Sequence, residues 1–560
     1  MLVSRTLLAG AGLLLASSSV SASASSAGVS NRVIGYHESW YYYDSPGNKP
    51  FDFTPTIVSK YTHINYAFAT IHYHPPTDQY YIGFTDSNAD YLDCVGTSCP
   101  SECIPVPQNQ LCTPAGKKTA SKVAMVPYIG ASGACPDTTC FNPSSAPGSP
   151  RTPPCEAVLD SNIQKSGSTP VLCGNYAYLM SKVKKSAPNL RYLISVGGWY
   201  DSNLFSAATE DKYIDKLVTS IVKFVQFFGF DGVDFDWEYP GWEHGGEPVS
   251  PNAPSGTGNS ENTYDCSVTK CAYPQRTNDT AKYSNLMAKN PHGENYLISI
   301  AAPAGLDKIN KIDTKAVCNS VDYVNIMTYD IHGEWESTTN HQAGIYDDTP
   351  NPTAPETSVD VAVTQWLQGC PSSKVVIGIP FYGHAWSQVK DGGSHGLFQA
   401  GSPPTNADAY NYHQIITDKT LTTYWDDKAQ ASYAYSASES LFVSFDDPQA
   451  ISAKVRYAQS KNLGGFMVWP IDGDDANDTL LTALTSNPGP VPPPPPPATS
   501  TAASSKTTTT VVKTSTVVPP PPPTTKSTKT KTTKTTTKKT KTTTKKGKTT
   551  TKKGKKTKTN

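Results

Sequence analysis

Asp231-Gly-Val-Asp-Phe-Asp-Trp-Glu-Tyr-Pro240 is the stretch on which the reading of this chain turns. On a strand, successive side chains point to opposite faces, so Asp234, Asp236 and Glu238 share one face while Val233, Phe235 and Trp237 share the other. Alpha carbons two apart lie roughly 6.6 Å from each other, close enough for the carboxyl groups to share protons. Their mutual repulsion raises the pKa of at least one, which keeps a carboxylic acid protonated near neutral pH. Three aligned carboxyls facing a core are costly without such a purpose. A calcium site or a solvated edge strand is the alternative, but calcium loops need glycine-rich turns and carbonyl ligands rather than an apolar Val/Phe/Trp face.

Working outward, short apolar runs recur, each followed by a polar or helical stretch, in the βαβα rhythm of a parallel sheet or barrel. Eight are legible: Val33–Tyr36, His63–Phe68, Tyr192–Val196, Gly232–Trp237, Tyr296–Ala301, Tyr323–Met327, Val375–Ile379 and Gly465–Trp469. Eight units favour a closed (β/α)8 TIM barrel over an open sheet, although periodicity alone leaves the choice open. In a barrel the three carboxyls form a file along the interior, rising toward the catalytic end at Glu238.

Two gaps exceed simple crossovers. After the second strand, residues 74–175 hold eight cysteines and many prolines, a Cys-rich insertion stapled by disulfides. Between the seventh and eighth strands, residues 387–445 carry Tyr424-Trp425, Tyr433, Tyr435 and Leu441–Phe445, which read as a small α+β subdomain. Both hang from the carboxyl ends of barrel strands, where active sites are built.

The 560 residues balance 47 Lys and Arg against 47 Asp and Glu, but the zero is an average. Seventeen lysines lie between Lys506 and Lys558 and the last acidic residue is Asp478, so the chain before the tail has 30 basic against 47 acidic groups, a formal −17. The overall balance, and the acidic excess before the tail, argue against an electrostatically driven nucleic-acid binder. Residues 488–560 are almost entirely Thr, Ser, Pro and Lys, with too little apolar surface to offset the entropy of ordering them, and read as a disordered, glycosylated arm. The arm reads either as a glycosylated spacer with no partner or as a segment whose lysines attract polyanions such as acidic cell-wall polymers or nucleic acid, an effect that fades with salt.

Residues 1–24 combine Arg5, an apolar run from Leu7 to Ala16 and a closing Ala22-Ser23-Ala24, the pattern of a cleaved secretory signal peptide. The run is about half of the ~20 apolar residues a membrane span needs. Twelve cysteines suit that oxidising destination. Zinc is the alternative for spacings such as Cys99 to Cys103, but histidines at finger-like distances are missing. The sequons Asn278-Asp-Thr280 and Asn477-Asp-Thr479 fit a glycosylated secreted protein. A monomer with no metal and no cofactor is expected, secreted and associated with a cell wall through its arm.

Within a catalytic barrel domain at residues 29–487, the chain from Val33 to about Asp475 resembles the family 18 chitinases, with the Cys-rich insertion and the tail outside the resemblance. Their fourth-strand signature Asp-x-x-Asp-x-Asp-x-Glu is complete as Asp231, Asp234, Asp236 and Glu238. Ser195–Trp199, Met327–Asp330, Gly378–Gly383 and Gly464–Trp469 are similar to the third-, sixth-, seventh- and eighth-strand motifs, and the segment before strand eight looks like the α+β insertion of the deep-cleft bacterial-type branch. The resemblance implies an endochitinase-type glycoside hydrolase that cleaves β-1,4-linked N-acetylglucosamine in chitin and chito-oligosaccharides, retaining and substrate-assisted. Glu238 would be the general acid, Asp236 would orient the substrate acetamido group with Asp234 as relay, and the Tyr329 hydroxyl would hold its carbonyl oxygen. Tyr36, Trp199, Met327, Asp330, Trp335, Tyr382 and Trp469 would bind substrate. One departure is His384, where the family commonly has arginine, which puts a charged hydrogen bond to sugar hydroxyls in doubt. A non-catalytic chitin-binding lectin is the competing reading, although lectins of this kind usually lose the glutamate. An endo-β-N-acetylglucosaminidase acting on N-glycans is another, since it shares the acid.

Overall fold

A computed structural model of the chain describes residues 32–45, 50–74, 78–86, 90, 169–202, 204–241, 278–290, 296–350, 357–405 and 410–486, with short strand pieces between 104 and 166. The readings made on the signal segment 1–24, the tail 488–560 and most of the Cys-rich segment lie outside these residues. The chain divides into a unit ending at Val491 and another starting at Pro492; the described residues belong to the first.

Eight parallel strands form the centre: β1 (Arg32–Glu38), β2 (His63–His74), β3 (Arg191–Gly197), β4 (Gly232–Asp236), β5 (Leu297–Ala302), β6 (Tyr323–Ile326), β7 (Val375–Pro380) and β8 (Gly465–Trp469). Each pairs with its neighbour, and β1 pairs both with β2, Ile34 opposite His63, and with β8, Val33 opposite Phe466. That last pairing removes both sheet edges and makes the (β/α)8 TIM barrel.

Alternation sorts the strand residues into two apolar sets. Ile34, Tyr36, Leu193, Tyr323, Val376 and Met467 fill the interior. Val33, Ile194, Val233, Phe235, Ile300, Ile377 and Val468 face outward under the helices. Because both faces are buried, the strands read as continuous apolar runs rather than as alternating ones. The helix Ile214–Phe228 shows how the outer layer is built: Leu217, Ile221, Phe224, Val225 and Phe228 recur at helical spacing on its buried face. It ends at Gly229, whose φ of 71° is left-handed, the conformation glycine adopts without penalty.

The structure redraws both insertions. β2 runs on past Phe68 to His74 and returns antiparallel as Gln79–Phe84. Tyr80, Ile82 and Phe84 of that return strand, and Tyr176, Leu179 and Val183 further on, belong to the barrel's outer core. Phe84 packs edge-on against Phe224 and Phe228 of the helix, and Leu172 joins the same core, so both ends of the 74–175 segment serve the barrel. The α+β insertion carries a five-stranded antiparallel sheet that starts at Tyr382–Trp386 rather than after residue 387. The chain thus passes from β7 into the inserted sheet within the Phe-Tyr-Gly-His stretch, which places Tyr382 and His384 on the insertion's own strand. A disulfide joins Cys318 to Cys370 across 52 residues, tying the helix Thr314–Ser320 to the segment before β7. No helix among the described residues is long and apolar enough to cross a membrane.

Candidate active site

The carboxylate file lies where strand alternation puts it, and neighbouring strands decide its chemistry. Ser195 of β3 and Ser299 of β5 sit level with Asp234 in the strand register. Asp234, fully buried, accepts hydrogen bonds from Tyr36 Oη (2.6 Å), Ser195 Oγ (2.9 Å), Ser299 Oγ (2.5 Å) and Asn325 Nδ2 (3.4 Å). Burial raises its pKa, while these four donors, drawn from four strands, pull it back toward the ionised form.

One step up, Asp236 is raised well above the usual carboxylate range, first by burial and then by the charges of Glu238 and Asp234. Its carboxyl is hydrogen-bonded to Glu238, while its Oδ1 has no partner. Glu238, at the mouth of the barrel and 8 % exposed, is pushed up to about 7, chiefly by burial. A hydrogen bond to Tyr239, the charge of Lys308 and the hydrogen bond to Asp236 moderate that rise, and the charge of Asp330 adds to it. The backbone behind Glu238 is pinned by Ser202: its Oγ accepts from Glu238 N–H (2.9 Å) and donates to the carbonyl of Asp236 (3.0 Å). The site therefore holds an ionisable acid poised near neutrality beside a second carboxyl whose pKa is also raised, the arrangement that proton transfer to a leaving group requires.

The Ser195–Trp199 turn shows why its glycines are there. A Cβ on Gly197 (φ +110°) would collide with the Asp236 carbonyl oxygen, and one on Gly198 (φ +86°) would lie 2.8 Å from the Phe68 ring. Phe68 in turn stacks on Trp469 with centroids 5.9 Å apart, and Tyr36 meets Trp469 edge-on at 5.7 Å. Trp40, 39 % exposed, adjoins both Phe68 and Trp469. Trp199 and Trp335 stand exposed at the carboxyl ends of β3 and β6. Tyr329 and Tyr382 are buried in the interior cluster, with Met327 partly buried against it. The Tyr329 hydroxyl meets Met467 Sδ at 3.6 Å, and the Tyr382 hydroxyl donates to Asp330. Asp231, the first residue of the signature, lies apart from these at the amino end of β4, where it accepts from Tyr192 N–H (2.9 Å) and pairs with Lys184 and Arg191.

His384 is not an empty position. Its Nε2 lies 2.7 Å from Asp330 Oδ1 and its Nδ1 2.8 Å from Glu334 Oε2. Burial alone would lower its pKa, but those two hydrogen bonds and charges raise it to about 9, so the cation that arginine would carry is present, directed at protein carboxylates. Sequence reading did not find the roles of Ser195, Ser202, Ser299, Asn325, Tyr239, Glu334, Phe68 and Trp40. The signal for Ser195 and Ser299 was their place on strands flanking β4, which needs the register to be known. Among the described residues no group of three His, Cys, Asp or Glu side chains is placed to hold a metal ion.

Comparison with known proteins agrees with this geometry. Chitinase A1 of Niallia circulans is 31% identical over 492 residues, 82% of this chain and 58% of its own length, so the chain spans a little over half of that relative. Chitotriosidase-1 of Mus musculus is 30% identical over 327 residues, 56% of this chain and 64% of that protein. The solved structure of a chitinase from Bacillus thuringiensis superposes with a TM-score of 0.55 at 26% identity, covering 82% of this chain and 70% of that one. Residues 32–474 match the family of glycosyl hydrolases family 18. With its closed barrel and complete carboxylate file, this chain belongs to glycosyl hydrolase family 18.

Proposed function

We propose that this protein is a chitinase, hydrolysing β-1,4 linkages between N-acetylglucosamine units with retention at the anomeric carbon. The observation that carries the reading is Glu238, pushed up to about 7 by burial and hydrogen-bonded to Asp236, at the mouth of a barrel rimmed by exposed tryptophans. Glu238 donates its proton to the leaving glycosidic oxygen as the C–O bond breaks. The carbonyl oxygen of the substrate's own acetamido group attacks the anomeric carbon and forms an oxazolinium ion. Asp236, whose Oδ1 has no protein partner, accepts from the acetamido N–H and offsets the positive charge. The Tyr329 hydroxyl, weakly held by Met467 Sδ, turns to the acetamido carbonyl oxygen. Water then adds to the anomeric carbon from the vacated side, giving up its proton to Glu238, and the oxazolinium opens. Sugar C–H faces stack on Trp469, Trp40, Trp199 and Trp335. The chain is secreted and glycosylated, and its lysine-rich arm holds it at polyanionic wall polymers.

Chromatography of products from colloidal chitin and chito-oligosaccharides tests this, with proton NMR of the first-formed anomer. Soluble oligomers in the β form are expected, and none from fully deacetylated substrate. Binding without product would mean a lectin; cleavage of N-glycans but not of chitin would mean an endo-β-N-acetylglucosaminidase.

A further inference from the structure

Three alternating residues of the inserted sheet's first strand all reach the segment that follows β6. The Tyr382 hydroxyl donates to Asp330, His384 bridges Asp330 and Glu334, and Trp386 Nε1 donates to the Glu336 carbonyl (2.9 Å). Trp335 lies between these anchors, its ring edge-on to His384 with centroids 5.0 Å apart and its six-membered ring where a Gly333 Cβ would collide with it. Asp330 itself holds a left-handed φ of 53°, a conformation that a side chain with fixed partners keeps in place. Both acceptors of His384 are carboxylates, so both ring nitrogens donate and the bridge exists only as an imidazolium. An imidazolium has two N–H groups, and here both are taken by protein.

We propose that His384 is a positioning residue, a titratable clasp that fixes Asp330 and the exposed Trp335 as one wall of the substrate cleft and releases them when the imidazole loses its proton. This rests on the reading of the site as a sugar-cleaving cleft. The charged groups acting on His384 are Asp330 and Glu334, both from the segment after β6, while its own strand contributes the Tyr382 ring, edge-on with centroids 5.6 Å apart. The pKa of about 9 means the clasp is closed at neutral pH and opens on the alkaline side. An arginine at this position would not open.

The test is KM and kcat for a defined chito-oligosaccharide from pH 6 to 10, for wild type, His384→Arg and His384→Gln, alongside NMR titration of the His384 imidazole. Wild-type KM should rise roughly tenfold through pH 9, as expected for losing a charge-assisted contact. His384→Gln should show the raised KM already at pH 7, and His384→Arg should remove the alkaline rise. An imidazole titrating near 6.5, or KM profiles that coincide in all three proteins, would overturn the clasp. If the wild type cleaves no oligosaccharide, the functional reading fails, whereas the clasp is still decided by the imidazole titration, which should drop in Glu334→Gln.

Discussion

Replacing Glu238 by glutamine should make the protein inactive and, above neutrality, more stable. In the folded chain Glu238 titrates at about 7 instead of its ordinary 4.5. Between those values the folded state binds a proton that the unfolded chain has lost, so stability is greatest below pH 4.5 and falls as pH rises through 7. Each tenfold change in proton affinity is worth about 1.36 kcal/mol, so the ionised glutamate costs the wild type on the order of 3 kcal/mol at pH 8. Little solvent reaches the group to screen that cost, since Glu238 is 8 % exposed. Glutamine keeps the shape without the charge, and it also spares Asp236 a like-charged neighbour, which acts in the same direction. Glu238→Gln should therefore exceed the wild type by roughly 3 kcal/mol at pH 8 and match it at pH 4. For a unit the size of residues 32–474 that is a rise in Tm on the order of 3 °C at pH 8. Urea unfolding followed by far-UV circular dichroism at both pH values measures the difference. The companion readout is wild-type kcat/KM, which should fall about tenfold for each step of one in pH above 7 if Glu238 is the acid. A gain in stability equal at pH 4 and pH 8, or no gain at either, would refute the account of a buried charge. Activity surviving the substitution would remove Glu238 as the acid.

Other consequences can be measured separately. Ser299→Ala removes one of four donors to the buried Asp234 and should cost roughly 1.5–3 kcal/mol in urea unfolding; unchanged stability would mean that Asp234 is neutral in the folded state. Gly198→Ala would put a methyl 2.8 Å from the Phe68 ring at a φ of +86°, displacing the ring that stacks on Trp469. Its KM for chito-oligosaccharides should rise several-fold, and an unaltered KM would sink the role given to that stack. The double variant Cys318→Ser with Cys370→Ser opens a loop of 52 residues and should lose about 4 kcal/mol of stability while kcat holds steady; a fall in kcat in the folded variant would show that the disulfide reaches the site.

Much of the fold was legible because a barrel strand buried on both faces writes an uninterrupted apolar run, and because period-two alternation assigns a face to each residue once a strand is recognised. That is why Asp234, Asp236 and Glu238 could be aligned from the sequence alone. Strand ends were less legible. β2 continues beyond Phe68 because Tyr80, Ile82 and Phe84 return along it and pack on the helix Ile214–Phe228, a contact between segments more than 100 residues apart. The inserted sheet begins at Tyr382 because its partner Leu441–Phe445 lies some 60 residues downstream.

What the sequence determined by itself is therefore local: which residues alternate along a strand and which acids share a face. What only the tertiary structure decided is the state of those acids. Asp234 is held by donors from β1, β3, β5 and β6, Glu238 is raised by burial that the whole barrel creates, and His384 is a cation because a distant loop brings Asp330 and Glu334 to it. Ionisation depends on desolvation and on charges a few ångströms away, and neither quantity exists until the chain has closed on itself.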